Sequence, residues 1–315
     1  MSEEEWDVIV VGGSAAGLSA ALMLGRARRR VLVLDAGQPR NRFAAHMHGV
    51  LGNEGADPAE FLQRARAEVA GYGVQVRRAE AASVRNEGSG LSVTTDDGRT
   101  LRCRRLVAAS GLRDELPQIA GLAERWGIDV LHCPYCHGWE VRGQRFGVIA
   151  NNAMAAHQAQ LVRQWSDDVV FFAAGAGDGA GVEVDEPLRD RLASRGVRVD
   201  DRAVREVVVA GGRLTGVRVD GGGVVALDAI FTAGTMRPND EYLAGLELKR
   251  DETPVGSFLS VDGTGRTSNA RVWAVGNLSV AGATVPLAIA AGAMAGGMVN
   301  MDLIEEEFDE AVAGR

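Results

Sequence analysis

The hydrophobic positions near the start of the chain predict a strand, a helix and a second strand. Residues 8–11 form a continuous apolar run, which is typical of a parallel strand covered on both faces. Residues 15–28 are rich in Ala and Leu and predict a helix. Residues 31–34 are again apolar and lead into Asp35. The order of these elements is that of a β-α-β unit.

The same order occurs again further along the chain. Residues 145–150 predict a strand, residues 154–164 a helix and residues 169–172 another strand. In each half, short alternating runs with turn signals follow the unit, at 74–110 and 203–231, and they predict small antiparallel meanders.

This repetition predicts an α/β protein with two Rossmann-like nucleotide-binding domains, the second inserted into the first. The first domain is predicted to comprise residues 1–115 and 237–315. The inserted domain is predicted to comprise residues 116–236 and carries the cysteine pair described below.

A glycine-rich turn joins the first predicted strand to the first helix. Such a turn binds a dinucleotide because its glycines let the backbone approach the pyrophosphate, while N–H groups at the helix start face the phosphate oxygens. Asp35 ends the second strand, where a carboxylate can accept hydrogen bonds from ribose hydroxyls. A cluster of turn glycines beside a surface aspartate is the alternative. The predicted cofactor-binding residues of this turn are Gly12, Gly13, Ser14, Ala15, Ala16 and Gly17.

Cys133 and Cys136 form a Cys-x-x-Cys pair flanked by His132 and His137. Two cysteines at this spacing at a helix start can close a small disulfide and share one lowered pKa, and His137 is an adjacent base. A zinc site is disfavoured because the sequence has no second cysteine pair. Two buried, inert cysteines are a further alternative, against which the intervening Pro-Tyr and the histidines argue. We therefore predict a redox pair with catalytic residues Cys133, Cys136 and His137, no metal, and a structural role for Cys103.

Composition and charge argue against several other classes of protein. The net charge is −8 and the pI about 5.3, so no basic surface for nucleic acid or an anionic membrane is expected. Three cysteines are too few for a disulfide scaffold and indicate a reducing compartment. The acidic residues 1–5 lack the basic start of a signal peptide, and the apolar residues 285–299 predict a buried helix rather than a membrane span. We expect a cytoplasmic protein.

The chain resembles the thioredoxin reductase-like flavoproteins over nearly its full length. The resemblance rests first on the glycine-rich turn with Asp35 and on the Leu-Val-Ala-Ala-Ser-Gly sequence of residues 106–111. It rests also on the central Cys-Pro-Tyr-Cys of residues 133–136 and on the Val-Gly-Asn sequence of residues 275–277. The implied fold is thioredoxin reductase-like, the implied cofactor is FAD, and the implied assembly is a homodimer.

The resemblance also implies roles for individual residues. Cys133 is the cysteine that would exchange with the substrate, and Cys136 the one that would face the flavin. Gly111, Gly276 and Asn277 join the cofactor-binding residues, and the Asn277 amide stands where the family commonly places an aspartate beside the ribityl chain.

Four other side chains near these motifs have less specific interpretations. His46 and His48 lie in the loop after Asp35, where either could face the flavin, but we expect surface histidines. Tyr135 and Trp139 are expected to shape a substrate pocket or to pack around the cysteine turn.

Two departures from the family pattern concern the second nucleotide site. Residues 149–156 read Ile-Ala-Asn-Asn-Ala-Met-Ala-Ala where the family has glycines, and side chains there crowd a pyrophosphate. Residues 171–175 follow the next strand without an arginine that could hold a 2′-phosphate. The NADPH site is therefore predicted to be eroded, and NADPH is a doubtful cofactor.

With the Cys-Pro-Tyr-Cys-His-Gly-Trp-Glu sequence of residues 133–140, these departures resemble the gliotoxin/holomycin-type dithiol oxidases. The resemblance implies an FAD-dependent enzyme that closes a disulfide in a small-molecule natural-product dithiol, with oxygen as electron acceptor. The alternative is an NADPH-dependent thioredoxin reductase-like disulfide reductase, which uses the same centre in the opposite direction. A redox sensor that holds FAD without turnover is a third interpretation, against which the intact cysteine pair beside His137 argues.

Overall fold

The structure is a computed structural model that describes residues 5–177, 179 and 181–314. The acidic residues 1–4, which contribute to the prediction that the chain lacks a signal peptide, lie outside the described residues.

The strands of the first half are β1 (Glu5–Val11), β2 (Val31–Asp35), β3 (Gln75–Arg78), β4 (Ala81–Glu87), β5 (Gly90–Thr95), β6 (Thr100–Ala108), β7 (Leu112–Glu115), β8 (Val130–Leu131), β9 (Phe146–Ile149) and β10 (Val169–Phe172). Those of the second half are β11 (Val197–Asp200), β12 (Val204–Ala210), β13 (Arg213–Val219), β14 (Val224–Ala226), β15 (Ala229–Phe231), β16 (Thr235–Pro238), β17 (Arg250–Thr253), β18 (Gly256–Leu259) and β19 (Val272–Ala274).

The α-helices are α1 (Ala15–Arg26), α2 (Pro58–Ala70), α3 (Pro134–His137), α4 (Ala155–Val162), α5 (Glu186–Ala193) and α6 (Val285–Ala313). Short 3-10 segments cover Ala123–Arg125, Glu241–Leu246 and Gly276–Leu278.

The first sheet has the strand order β3-β2-β1-β6-β5-β4, with β19 also paired to β6. β1 pairs in parallel with β2 and β6, and it is buried on both faces as its apolar run predicts. The prediction of an antiparallel meander over 74–110 is wrong for its first strand. β3 pairs in parallel with β2, because α2 carries the chain back to the same edge of the sheet.

The second sheet has the strand order β11-β10-β9-β15-β8 and is parallel in each of its pairs. The meander β12-β13-β14 forms a separate antiparallel sheet. Apolar side chains of that meander pack with those of β9 and β10 in one buried cluster. The predicted α/β fold class is confirmed: the parallel strands of both sheets follow the nucleotide-binding pattern, and β4 and β5 extend the first sheet with antiparallel pairs.

Two short strands carry the chain between the sheets. β7 leaves the first sheet region and β16 returns to it, and the two pair antiparallel, with Leu112 opposite Pro238. Because both crossings lie side by side, the segment between them is attached to the rest of the chain at a single place.

Helix α6 packs along α1 and requires glycine to do so. A Cβ on Gly292 would lie 2.0 Å from the carbonyl oxygen of Ala16, so the two helix backbones touch there. The predicted helix over 285–299 is present as the first part of α6, but the prediction that it is buried is wrong for one of its faces. The helix is 29 residues long, and one face of it is exposed.

The exposed face of α6 is apolar. Leu287, Met294, Met301 and Phe308 repeat every seven residues and are 57%, 55%, 53% and 71% exposed. By length and composition alone the helix could cross a membrane, and 28% of its most apolar window is buried in the protein. Its opposite face, with Ala295, Val299 and Leu303, packs against α1, so the helix carries apolar side chains on both faces.

Candidate redox-active site

The glycine-rich turn between β1 and α1 brings backbone atoms into close contact. Gly12 has a φ of +115°, and a Cβ there would lie 2.3 Å from the backbone carbonyl that follows β6. A Cβ on Gly17 would lie 1.9 Å from the Gly12 carbonyl oxygen. Ser14 is the N-cap of α1, and within the described chain its side chain makes no capping hydrogen bond. The first-turn N–H groups, those of Ala15 and Ala16 among them, are therefore available to an anionic ligand.

Asp35 lies beside this turn with its carboxylate held in place. The carboxylate accepts hydrogen bonds from the Gly37 backbone N–H at 2.8 Å and from Arg66 Nη2 at 2.9 Å. A Cβ on Gly13 would lie 2.4 Å from the Asp35 carboxyl carbon, so glycine is needed for this approach. A cavity of about 550 Å³ opens here, lined among others by Asp35, Leu62, Arg66, Val76 and Arg78. Its carboxylate, cations and apolar walls fit an adenosine, and the neighbouring turn fits the pyrophosphate.

The other predicted cofactor residues lie at the ends of neighbouring strands. Gly111 and Gly276 both have a φ of +70°, a conformation that favours glycine. A Cβ on Gly276 would lie 3.1 Å from the Ala16 side chain, so this turn touches the start of α1. Only the oxygen of the Asn277 amide remains available for the expected contact with the ribityl chain. Its Nδ2 lies within hydrogen-bond distance of three carbonyls of its own turn, so Oδ1 is the atom that can accept from a ligand; the carbonyls belong to Val280, Ala281 and Ala283.

The two predicted redox cysteines lie at the start of the one-turn helix α3. Cys133 is the N-cap, and its carbonyl accepts the backbone N–H groups of Cys136 and His137, each at 3.1 Å. Both cysteines are free thiols and half-buried. Pro134 at the first helical position supplies the φ that the turn needs and has no N–H to leave unpaired. The local sequence thus places the two sulfurs on one tight turn.

The third cysteine is separate from this turn. Cys103 is 3% exposed in the core of the first sheet, and burial raises the pKa of its thiol to about 12. A thiol that stays protonated is a poor nucleophile. Among the residues that the structure describes, no three His, Cys, Asp or Glu side chains gather where a metal ion could bind.

The two redox thiols share a proton unequally. The Sγ–H of Cys136 donates to Cys133, and the backbone N–H groups of Cys136 and Tyr135 add to the stabilisation of a Cys133 thiolate. These hydrogen bonds lower the pKa of Cys133 in spite of burial. The same hydrogen bond and burial raise the pKa of Cys136. Cys133 is therefore the sulfur that carries the negative charge of the reduced pair.

His137 follows the pair and is mostly neutral at pH 7. Burial lowers the pKa of its imidazole, the Glu140 carboxylate raises it, and His48 lowers it again. Burial and Arg40 also lower the pKa of the imidazole of His132. A neutral imidazole beside the thiols can accept a proton, as the prediction for His137 requires.

Exposed aromatic side chains border the cysteine turn. Tyr135 and Trp139 are 70% and 65% exposed. The ring of Tyr135 meets that of Trp165 edge-on at 5.5 Å, and the guanidinium of Arg142 lies 4.0 Å over the Trp139 ring. Both rings are thus held by neighbours but keep a face toward solvent, where an apolar small molecule could contact them.

An ion pair that no sequence motif predicts lies beside the cysteines. Arg40 binds Asp114 through two hydrogen bonds, Nε to Oδ2 at 2.8 Å and Nη2 to Oδ1 at 2.6 Å. The Asp114 side chain is 7% exposed. The Arg40 cation lowers the pKa of both Cys133 and Cys136. Because 93 residues separate Arg40 from Cys133 in sequence, only the fold brings them together.

The turn after β9 stands where a second nucleotide would bind, and side chains occupy it. Asn151 Nδ2 donates to the Ala233 carbonyl at 2.8 Å. Asn152 Oδ1 accepts the Met154 backbone N–H at 2.9 Å, so an N–H just before α4 is already used. A Cβ on Gly175 would lie 2.1 Å from the carbonyl oxygen of Ala150. The turn is closed by its own residues, whereas the turn before α1 is open.

The segment after β10 has no arginine of its own, but an arginine from another strand lies close to it. The sequence pattern did not indicate this contact. Arg205 on β12 donates to the Ala176 carbonyl at 2.8 Å. Its guanidinium also binds both carboxylate oxygens of Asp220, at 2.6 and 3.0 Å. Since this cation is already paired, it is a weaker phosphate ligand than a free arginine.

The sequence matches the family described as pyridine nucleotide-disulphide oxidoreductase over residues 6–295. The thioredoxin reductase tcpT of Claviceps purpurea (strain 20.1) is 30% identical over 310 residues, which are 95% of this chain and 95% of that relative. The thioredoxin reductase sirT of Leptosphaeria maculans is 28% identical over 317 residues, 95% of this chain and 94% of that relative.

Solved structures share the whole fold. The crystal structure of HlmI has a TM-score of 0.92 and 42% sequence identity, and the match covers 98% of this chain and 96% of that chain. The oxidoreductase from Agrobacterium tumefaciens has a TM-score of 0.88 and 39% identity, with 95% of this chain and 99% of that chain covered.

Removal of the Arg40 charge should make Cys133 a weaker acid. In Arg40→Met the cation that favours the thiolate is lost and the buried Asp114 carboxylate is left unpaired, so both changes should raise the Cys133 pKa, together by about one unit. The rate of iodoacetamide alkylation of the reduced protein, followed against pH with the modified cysteine identified by mass spectrometry, measures this shift. Arg42→Met is the matched control, since that guanidinium lies over Phe43. Equal alkylation profiles for the two variants would contradict the assignment.

Proposed function

Because the chain belongs to the pyridine nucleotide-disulphide oxidoreductase family, we propose that it is an FAD-dependent dithiol oxidase that closes a disulfide in a small-molecule, natural-product dithiol. The observation that carries the proposal is the placement of two half-buried free thiols, Cys133 and Cys136, on the single turn of α3, with His137 directly after them. The lowered pKa of Cys133 and of His137 supports it. The resemblance to the gliotoxin/holomycin-type dithiol oxidases supports it.

The pair in its disulfide form would oxidise the substrate in two exchange steps. A substrate thiolate attacks Cys133, the S–S bond to Cys136 breaks, and Cys136 leaves as a thiolate. The second substrate thiolate then attacks the substrate sulfur of this mixed disulfide, and Cys133 leaves. A thiol of low pKa leaves fastest, so the lowered pKa of Cys133 suits the second step. The substrate loses two electrons and two protons, and the cysteine pair gains the two electrons.

His137 is proposed as the base that accepts protons from the substrate thiols. Its imidazole is neutral at pH 7 because burial lowers its pKa. It directly follows Cys136 on α3. A base whose pKa lies below the working pH is present in the form that can accept a proton.

FAD would be held by the turn before α1, by Asp35 and by the turns at Gly111 and Gly276. When bound, it supplies the acceptor for the electron pair of the two cysteines, and dioxygen is the proposed final acceptor. The chain's own contribution is to hold Cys136 on the turn opposite Cys133, so that one sulfur can serve the substrate and the other the flavin.

A disulfide reductase that takes electrons from NADPH is the second candidate, and it is favoured by the relatives tcpT and sirT, which are both named thioredoxin reductase. The turn after β9 counts against it, because Asn151 and Asn152 stand there in place of glycines and their side chains are hydrogen-bonded to the protein itself. Arg205, which lies near the proposed 2′-phosphate position, is already paired with Asp220.

We also propose that two copies of the chain associate. The observation behind this proposal is the apolar stripe of Leu287, Met294, Met301 and Phe308 on α6, which is exposed in a single copy. A seven-residue spacing is the pattern by which two helices pack against each other.

Single cysteine variants should separate the two roles. Cys136→Ser should trap a dithiol substrate or a small disulfide as a stable mixed disulfide on Cys133, because no second sulfur resolves it. Cys133→Ser should lack this trapping and show a long-wavelength charge-transfer band at high pH, because Cys136 loses the hydrogen bond that raises its pKa. Mass spectrometry and absorbance titration read out the two effects.

In both variants dithiol oxidation should fall almost to zero, since the residues act as one unit. Cys103→Ala is the control and should keep the activity, because that thiol lies in the core of the first sheet. A charge-transfer band confined to Cys136→Ser, or substantial oxidation by Cys133→Ser, would reverse the assignment of the two cysteines.

NADPH should bleach the bound flavin slowly or not at all. The turn at Asn151 and Asn152 carries side chains where a pyrophosphate would need glycines. Anaerobic mixing with NADPH, followed by a dithiol such as dithiothreitol, should give flavin reduction only in the second step. Rapid stoichiometric bleaching at micromolar NADPH would instead support the reductase.

A charge on the apolar stripe should separate the two copies. Met301→Lys places an ammonium in the middle of the proposed contact and should lower the mass measured by analytical ultracentrifugation from two chains to one. Glu310→Lys puts the same side chain nine residues further along α6, on the opposite side of the helix, and should leave the mass unchanged. Wild-type protein that sediments as one chain would refute the association.

A further inference from the structure

The loop of residues 46–56 forms a compact unit between β2 and α2. The Met47 N–H donates to the Ala56 carbonyl at 2.9 Å, and the Gly55 N–H donates to the Met47 carbonyl at 3.0 Å. Val50, inside the loop, is 4% exposed. A loop closed on itself in this way holds its side chains in defined positions.

His48 extends from this loop toward the cysteine turn. Its Nδ1 lies 2.7 Å from Glu54 Oε1, and the second oxygen of Glu54 accepts the Gly49 N–H at 2.8 Å. Its Nε2 lies 3.5 Å from Glu140 Oε1. The imidazole therefore joins a carboxylate of the loop to a carboxylate that follows the cysteine turn.

The two carboxylates are more exposed to solvent than the imidazole between them. The side chains of Glu54 and Glu140 are 63% and 40% exposed, and that of His48 is 20% exposed. The contact between His48 and Glu140 is at ion-pair distance, slightly longer than a good hydrogen bond. Such contacts commonly shorten when a substrate is bound.

Glu140 lies three residues beyond His137, and the groups act on one another. The carboxylate of Glu140 raises the pKa of His137, whereas His48 lowers it. The acidic groups at ion-pair distance from His48 are Glu54 on its own loop and Glu140 on the cysteine segment. These two contacts join the exposed Glu54 to Glu140, which lies three residues after the proposed base in sequence.

The proposed reaction needs such a route because of its stoichiometry. Reduction of the pair breaks two substrate S–H bonds and the Cys133–Cys136 disulfide, and it forms one substrate S–S bond and the S–H bond of Cys136. Two electrons pass to the cysteine pair, and their onward transfer to the flavin and to dioxygen would re-form the disulfide and give hydrogen peroxide. One of the two substrate protons stays on Cys136 and the other leaves through the base, so His137 must lose that proton before it can act in the next turnover. His137 is half-buried, and a neighbour that exchanges protons with water removes this delay.

We propose that His48 is a positioning residue of the redox centre, which holds Glu140 beside His137 and connects that base to solvent through Glu54 and Glu140. The inference rests on the proposed function. It assigns a role in proton transfer to the loop of residues 46–56, which sequence patterns predict only as a surface loop.

The test compares His48→Gln with His46→Gln. Glutamine can keep one hydrogen bond but cannot exchange a proton at this pH. His46 lies on the same loop, and its Nδ1 is 3.1 Å from the Gly55 carbonyl, so its replacement controls for loop damage. Oxidised protein is mixed anaerobically with dithiothreitol between about pH 5 and pH 9 and quenched with acid. The free thiols of Cys133 and Cys136 are then counted by alkylation and mass spectrometry.

In weak buffer near pH 7, His48→Gln should reduce its disulfide about 10- to 100-fold more slowly than wild type, and His46→Gln should stay within about twofold. Imidazole at tens of millimolar should restore most of the lost rate, since a mobile base replaces a missing proton carrier but does not repair a misplaced loop. The rate of disulfide reduction should fall at low pH, where His137 becomes protonated. This fall should occur at higher pH in His48→Gln and at lower pH in Glu140→Gln, because His48 lowers the pKa of His137 and Glu140 raises it.

The possible results distinguish a failure of the proposed function from a failure of the role proposed for His48. A wild-type disulfide that dithiols do not reduce would overturn the proposed function itself. If the wild type reacts and His48→Gln matches it, or if imidazole restores nothing, only the role of His48 is refuted. Glu140→Gln, a change at a partly exposed side chain, tests the same route if His48→Gln fails to fold; a wild-type rate for that variant refutes the role equally.

Discussion

The constraint on which the site depends is that the reduced cysteine pair carries one negative charge in a half-buried turn. Burial raises the pKa of both thiols, so a thiolate forms only where other groups compensate. The groups that stabilise a thiolate act mainly on Cys133. Its sulfur accepts the Cys136 S–H and two backbone N–H groups, and the Arg40 cation lowers its pKa further. Cys136 keeps the proton. The two sulfurs differ in reactivity because of this placement, although they are chemically identical.

The groups that set this charge come from distant parts of the chain. Arg40 and His48 lie between β2 and α2, Asp114 lies on β7, and His137 lies on α3 of the inserted segment. The site therefore exists only while the segment between β7 and β16 rests in its present position on the first sheet. Moving that segment would take the cysteines away from Arg40 and Glu140 away from His48. The protonation of the pair and the packing of the two sheets are thus coupled.

Sequence patterns predicted the strands and turns whose conformation is set by residues close together in the chain. Continuous apolar runs identified the buried parallel strands, and the glycines before α1 and the Cys-x-x-Cys spacing identified two tight turns. Contacts across the sheets could not be read in this way. Nothing in the sequence around Arg40, His48 or Arg205 shows that these side chains face Cys133, Glu140 or Ala176, because their partners lie 29 to 93 residues away. The outer face of α6 was missed because a run of Ala, Gly and Met does not reveal which side is covered.

The closed turn after β9 and the intact cysteine turn lie in the same inserted segment, and their combination bears on the direction of electron flow. A disulfide reductase must accept electrons from a dinucleotide in this segment and release them through the outer cysteine. A dithiol oxidase receives electrons at that cysteine and needs no second nucleotide. Asn151 and Asn152 place hydrogen-bonded side chains in the turn that the first route would use, while the lowered pKa of Cys133 suits it as a leaving group in the second. Both features favour the proposed entry of electrons through thiols.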